Sequence, residues 1–156
     1  MAKAAKPVPA GFNTITPQLT LDDAAKTIDW YKKAFGAEEI GRGLGPDGKI
    51  MHAELKIGDS RFMVNDEFPE MGARSPVSIG GSPVTVHLYV PDADAVFNSA
   101  VAAGAKVKMP LAGQFWGDRY GQVEDPSGHL WSIATHKEDL SSEQIAERAA
   151  KYSPGA

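Results

Sequence analysis

SPVTVHLYVPDADAVFNSAVAAGAKVK, residues 82–108, is the stretch whose reading decides the fold. Val84, Val86, Leu88 and Val90 alternate with Thr85, His87 and Tyr89, the period of a strand with one apolar and one polar face. Asp92 is placed to cap a helix in which Ala93, Val96, Phe97, Ala100 and Val101 fall at helical spacing, and Gly104 ends it. The same grammar stands earlier in the chain. Residues 13–21, NTITPQLTL, read as a strand with Thr14, Thr16, Gln18 and Thr20 on one face and Ile15, Leu19 and Leu21 on the other. Asp22 and Asp23 supply the helix cap, Ala24, Ile28, Tyr31 and Phe35 the apolar stripe, and Gly36 the stop. Laying Thr16 on Thr85, an offset of 69 (85 less 16), also lays Leu19 on Leu88, Leu21 on Val90 and Ile28 on Phe97. Pro17 cannot donate to a ladder, so the first strand pairs on one side only near that point.

Each half continues in the same way. GAEEIGRGL, a GPDG turn, KIMHAELKI, a Gly58-Asp59 turn and SRFMVND predict a β-meander after the first helix. GDSRFMV at 58–64 matches PSGHLWS at 126–132 with an offset of 68. Two copies of βαβββ account for the chain. The fold class is α+β, with two tandem βαβββ modules forming curved mixed sheets around a central cavity, plus a C-terminal helix. The boundaries are a flexible tail at 1–11, modules at 12–66 and 83–137, a Pro/Gly/Ser-rich linker at 67–82 without regular elements, and a terminal helix and tail at 138–156. In that last segment, Ser141 followed by Gln144 makes a capping box.

Composition narrows the function. The chain is 42% hydrophobic, 23% charged and carries a formal charge of −4, which speaks against a nucleic-acid grip. No run approaches the about 20 apolar residues of a membrane span. MAKAAKPVPAG has lysines without the apolar stretch of a signal peptide, and cysteine is absent, removing disulfides and thiolate chemistry. A cytoplasmic location is the expectation. No phosphate-binding glycine loop or GxSxG elbow occurs.

Two polar runs hold candidates for chemistry. In DPSGH, Asp125 can accept from the backbone of its own turn and Pro126 presets φ, which makes a shaped hairpin; His129 opens the next strand, facing either the turn or a cavity. In FWGDRYG, Asp118 and Arg119 read either as a pair bracing a loop or with Arg119 as a bidentate anchor for a carboxylate or phosphate. Phe68, Tyr89, Phe115 and Trp116 read as pocket walls or as core. Asp92 and Asp94 read as helix capping.

TIDWYKKAFGAEE, MHAELKIGDS, FWGDRYG and DPSGHLWSIATHKED, on top of a duplicated βαβββ plan, resemble the vicinal-oxygen-chelate superfamily. That superfamily includes glyoxalase I, extradiol dioxygenases and bleomycin-resistance proteins. Within it, the phrases are similar to small bacterial glyoxalase-like proteins related to a phosphonate-operon protein. The resemblance covers residues 12 to about 137. It implies two half-barrels facing a ligand, and a homodimer, sometimes with modules exchanged. In metal-dependent members the ligands, His or Gln and Glu, stand early in the first strand and within the last strand of each module. Carried onto this chain, those places are Thr16, Val64, Thr85 and Ser132, a poor donor set.

The expectation is therefore a protein that binds a small organic molecule without the usual metal, sequestering a toxic compound as bleomycin-resistance proteins do. Its pocket residues are Thr14, Thr16, Gln18, His52, Glu54, Thr85, His87, Tyr89, Trp116 and Arg119. The alternative is a lyase, isomerase or dioxygenase working through a rewired site, with His52, His87, Glu124 and His129 around a divalent transition metal, or with His52 or His87 as general base.

Overall fold

The computed structural model describes residues 2–153. In chain order the elements are β1 (Gln18–Leu21), α1 (Ala24–Phe35), β2 (Glu38–Leu44), β3 (Ile50–Ile57), β4 (Ser60–Asp66), a 3-10 turn at Pro69–Met71 and the short α2 (Pro76–Ile79). Then follow β5 (Thr85–Tyr89), α3 (Ala93–Ala102), β6 (Lys106–Gly113), β7 (Asp118–Glu124), β8 (Leu130–His136) and α4 (Ser142–Ala150). They form two open four-stranded mixed sheets, ordered β1-β4-β3-β2 and β5-β8-β7-β6. In each, the first strand runs parallel to the last and the remaining pairs are antiparallel. This is the duplicated α+β plan, with the C-terminal helix appended.

The chain divides into two compact units, one ending at Gly81 and taking in Pro126–Gly128, the other starting at Ser82. In the first unit, Asp23 caps α1 by accepting from the Lys26 N–H, and Gly36 closes it in the left-handed conformation at φ 67°. Ile28, Trp30, Tyr31 and Phe35 are buried against Leu19, Leu21, Leu55, Phe62 and Val64 of the sheet. Each large apolar side chain so buried contributes about 1.5–3 kcal/mol. Tyr31 meets Phe62 edge-on at 5.7 Å. Ser127 belongs to this unit through its hydroxyl, which donates to Asp22 at 2.7 Å and lies 3.0 Å from Thr27 Oγ1.

The first strand is shorter than the alternation predicts. Thr14 and Thr16 precede it, and Thr16 donates to the carbonyl of Asn13 in its own turn. The reason is Pro17, which offers its carbonyl to Met63 N–H at 2.8 Å but has no N–H to continue the ladder backwards. β1 is an edge strand, a position that tolerates a proline at its start. The stretch 67–82 is also more ordered than its composition suggests. It holds the turn at Pro69–Met71, the bridge between Phe68 and Ala73, and α2 capped by Ser75.

In the second unit, Asp92 caps α3 through the Ala95 N–H, and Phe97, Ala93 and Ala100 are buried with Val123, Trp131 and Ile133. Gly121 lets this happen: a Cβ there would stand 2.8 Å from the Phe97 ring. The Ser141–Gln144 capping box forms as expected. No residue of α4 is buried, and its Arg148 is bidentate to Glu138 at 2.9 and 2.8 Å.

Candidate functional site

In the second sheet, Thr85, His87 and Tyr89 of β5 lie beside Leu130, Ser132 and Ala134 of β8, which in turn oppose Glu124, Gln122 and Tyr120 of β7. Paired residues share a face, so these side chains stand together on the side away from α3. The intervening residues, Val86, Leu88, Trp131, Ile133 and Val123, supply the other, apolar face. The period-two pattern of β5 thus sorts His87 and Tyr89 onto the open face.

His87 is the centre of this face. Its Nδ1 lies 2.7 Å from the hydroxyl of Ser132, its register partner. Tyr89 meets its ring edge-on at 4.4 Å and Tyr120 stacks near it at 5.9 Å. Burial holds the His87 pKa below the ordinary imidazole value, partly opposed by the charge of Asp118, so the ring is neutral at pH 7.

Next to it stands a carboxylate with three donors. Asp118, whose side chain is 2% exposed, accepts from the Tyr89 hydroxyl at 3.2 Å and the Trp116 indole at 3.0 Å through Oδ2. Its Oδ1 is 2.8 Å from Nδ1 of His136, whose Nε2 is 2.8 Å from Asp139. The two carboxylates, Asp139 first, raise the pKa of His136. Burial and Asp118 raise that of Tyr89, keeping it a neutral donor. Trp116 continues the ring surface, 5.4 Å from Tyr120 and 5.0 Å from Phe115. An open groove beside Tyr89 is lined by Val90, Pro91, Thr135 and His136.

The first sheet carries the corresponding polar face. Gln18 donates to Asn65 at 3.1 Å, and Asn65 to Thr20 at 3.2 Å. His52 and Glu54 come together at 3.6 Å, with Arg61 3.7 Å from the same carboxylate. The Arg61 guanidinium also lies over the Phe12 ring, 5.2 Å from its centroid.

Several expected site residues are placed otherwise. Arg119 turns to the helix side, where its fork is taken by Asp94 at 2.8 and 3.1 Å. It does not pair with Asp118, and Asp94 is this partner rather than a cap. Thr14 and Thr16 lie outside the strand that was to carry them. Glu124 is matched by Lys108 at 3.5 Å and Lys106 at 3.9 Å. His129 closes the hairpin with its N–H on Asp125, which also accepts from the Trp131 indole at 2.9 Å. DPSGH is thus a built turn. Among the described residues, no three His, Asp or Glu side chains gather as a metal-binding group.

The register moves one family ligand place. Leu19 pairs with Val64 as Leu88 pairs with Ile133, so the mate of Ser132 is Met63, and Val64 is buried on the helix side. The offset is 69 here, because the β7–β8 turn is longer by one residue than the β3–β4 turn. Ser132, Tyr120, Gln122, Asp118 and His136 were not singled out as pocket residues from sequence. Period two along β7 and β8 was the signal that would have placed them on one face.

A comparison with protein-family models matches residues 11–133 to the Glyoxalase/Bleomycin resistance protein/Dioxygenase superfamily. The chain belongs to this superfamily. An uncharacterized protein of Mycobacterium bovis is 49% identical over 90% of this chain and 93% of its own. Among solved structures, TioX from Micromonospora sp. ML1 superimposes with a TM-score of 0.63 at 32% identity, covering 80% of this chain and 98% of that one. The product of Arabidopsis thaliana At5g48480 does so with a TM-score of 0.63 at 30% identity, covering 81% and 99%.

Proposed function

We propose that this glyoxalase/bleomycin-resistance superfamily member binds a small organic molecule on the open face of its second sheet, without the metal of the metal-dependent members, and sequesters it. The observation that carries the reading is the His87–Ser132 contact at 2.7 Å, walled by Tyr89 and Tyr120. Ser132 stands where the resemblance expects a glutamate ligand, and its hydroxyl is engaged with an imidazole instead. The other three places carry Thr16, Met63 and Thr85. Neutral hydroxyls and a thioether do not fit a divalent transition ion, which asks for imidazole, carboxylate or thiolate donors. Flat apolar rings with a few fixed polar groups suit retention of an organic molecule. A homodimer in the cytoplasm is the setting we propose.

The test is a thermal-shift screen of small acids and aromatics on protein made without a metal-affinity tag, with and without a chelator, alongside elemental analysis. Stabilisation that survives chelation, with far less than one equivalent of transition metal, is expected. Stabilisation that vanishes on chelation, together with a full equivalent of metal, overturns the reading. In cells, the chain should protect against the compound it binds without consuming it.

The pairing of His52 with Glu54 favours a second reading, an enzyme of the lyase, isomerase or dioxygenase type using these residues. Turnover of a bound compound that His52→Ala and Glu54→Ala abolish, with binding retained, would select it.

A further inference from the structure

Ser132 is 1% exposed, and among the described residues the one hydrogen-bond partner of its hydroxyl is His87 Nδ1. A buried hydroxyl that donates nowhere forfeits a hydrogen bond, and Nδ1 is the one acceptor it meets among the described residues, so Oγ–H donates to Nδ1. The neutral imidazole then carries its own proton on Nε2, which has no partner among the described residues. His87 is exposed as a residue, its contact with Ser132 is part-buried, and no described residue takes up this N–H.

The charged groups of this face are engaged with one another. At one end of the face Lys106 and Lys108 are held by Glu124; at the other His136 lies between Asp118 and Asp139. Each of these lysines has a carboxylate partner, and neither contacts His87. The surroundings of the N–H are rings: Tyr89 at 4.4 Å from His87, Tyr120 at 5.9 Å, and Trp116 at 5.4 Å from Tyr120. Asp118 holds Tyr89 and Trp116 through one oxygen, so two of these walls are fixed in advance.

We infer that the ligand of this face is an uncharged, flat aromatic compound with a hydrogen-bond acceptor such as a carbonyl at its edge, received by the Nε2–H of His87 between the rings of Tyr89 and Tyr120. The inference rests on the binding reading above and adds the chemical class. Ser132 is a positioning residue: it sets the tautomer and does not touch the ligand.

Three probes of one size separate the contributions: 2-acetylnaphthalene, 2-ethylnaphthalene and 2-naphthoate. Nitrogen NMR of the free protein reads the tautomer, and titration of each probe reads affinity and place. The expected result is an Nε2–H tautomer and binding at His87. The acetyl compound should bind about tenfold more tightly than the ethyl one, the worth of one good hydrogen bond. Naphthoate should gain nothing over the ethyl compound. His87→Phe keeps a ring but erases the acetyl preference, and Ser132→Ala weakens it by freeing the tautomer. An Nδ1–H tautomer, equal binding of acetyl and ethyl compounds, tightest binding of naphthoate, or no binding of any probe overturns the inference. None of these touches the broader reading, which falls on its own chelation and metal result.

Discussion

Asp66 accepts the backbone N–H of Ala24 at 2.8 Å, tying the end of the last strand of the first sheet to the first residue of α1. The second unit repeats the tie 69 positions on: Thr135 accepts from Ala93 at 2.8 Å. Asp66 also accepts from Ile50 N–H at 2.8 Å, and Thr135 donates to the Val90 carbonyl at 2.7 Å. A helix N-terminus has orphan donors, and in both copies a strand side chain satisfies one of them. The two copies share the bolt and differ in its chemistry, a carboxylate in the first and a hydroxyl in the second.

This orders two substitutions. Thr135→Val should cost about 1–2 kcal/mol and Asp66→Ala about 2–3 kcal/mol, since the latter strands two backbone donors. Urea unfolding monitored by circular dichroism reads the difference; equal losses would contradict it.

The buried hydroxyl of Ser127 bridges Asp22 and Thr27. Ser127→Ala should lower stability by about 1–2 kcal/mol, and the double change with Thr27→Val should cost less than the sum of the singles, because the two share one hydrogen bond. A double-mutant cycle decides it.

Asp118 holds Tyr89, Trp116 and His136 at once. Asp118→Ala should cost about 2–4 kcal/mol and lose ligand binding, as buried donors are left unpaired and two ring walls come loose. Trp116 fluorescence and the probe titrations report both. Asp118→Asn, which retains one acceptor oxygen, should fall between.

Protonation adds a pH dependence with a definite sign. Asp139 and then Asp118 raise the pKa of His136 in the fold, so folding favours its charged form. That stabilisation is fully present below the unfolded value of about 6.5 and is lost as pH rises through the higher folded value. His136→Gln should flatten the alkaline fall in unfolding midpoint. His87 acts oppositely: its pKa is lowered by burial, so its contribution stands above about 6.5 and is lost as pH falls. Ring-proton NMR titrations of the two histidines check the two directions.

Gly121→Ala places a Cβ against Phe97 and the Leu111 backbone, at 2.8 and 3.0 Å. Overpacking there should cost about 1–3 kcal/mol. Gly36→Ala meets open space but sits at φ 67°, and about 1 kcal/mol is expected from the left-handed conformation alone. Chemical denaturation of the pair separates packing from backbone strain.

The order of elements was legible because it rests on local rules. Alternation wrote β5, helical spacing between Asp92 and Gly104 wrote α3, and the repeat at 69 residues made both halves one plan. Capping by Asp23, Asp92 and Ser141 was equally local. Where a local rule met a competing one the reading slipped. Alternation carried the first strand back to Asn13, but Pro17, lacking a donor, starts it at Gln18. One extra residue in the turn before Leu130 hid the pairing of Met63 with Ser132 as counterparts.

The chain as written determined which residues could share a face, since side-chain direction along a strand follows from backbone geometry. It said nothing of partners across strands, because those depend on register, which gathers residues far apart in sequence. So Arg119 read as a free fork until α3 brought Asp94 to it, and Asp118 read as its mate until folding set Tyr89, Trp116 and His136 around the carboxylate. The imidazole of His87 was visible from the start. That Ser132 would meet it at 2.7 Å came from pairing β5 with β8, 45 residues away.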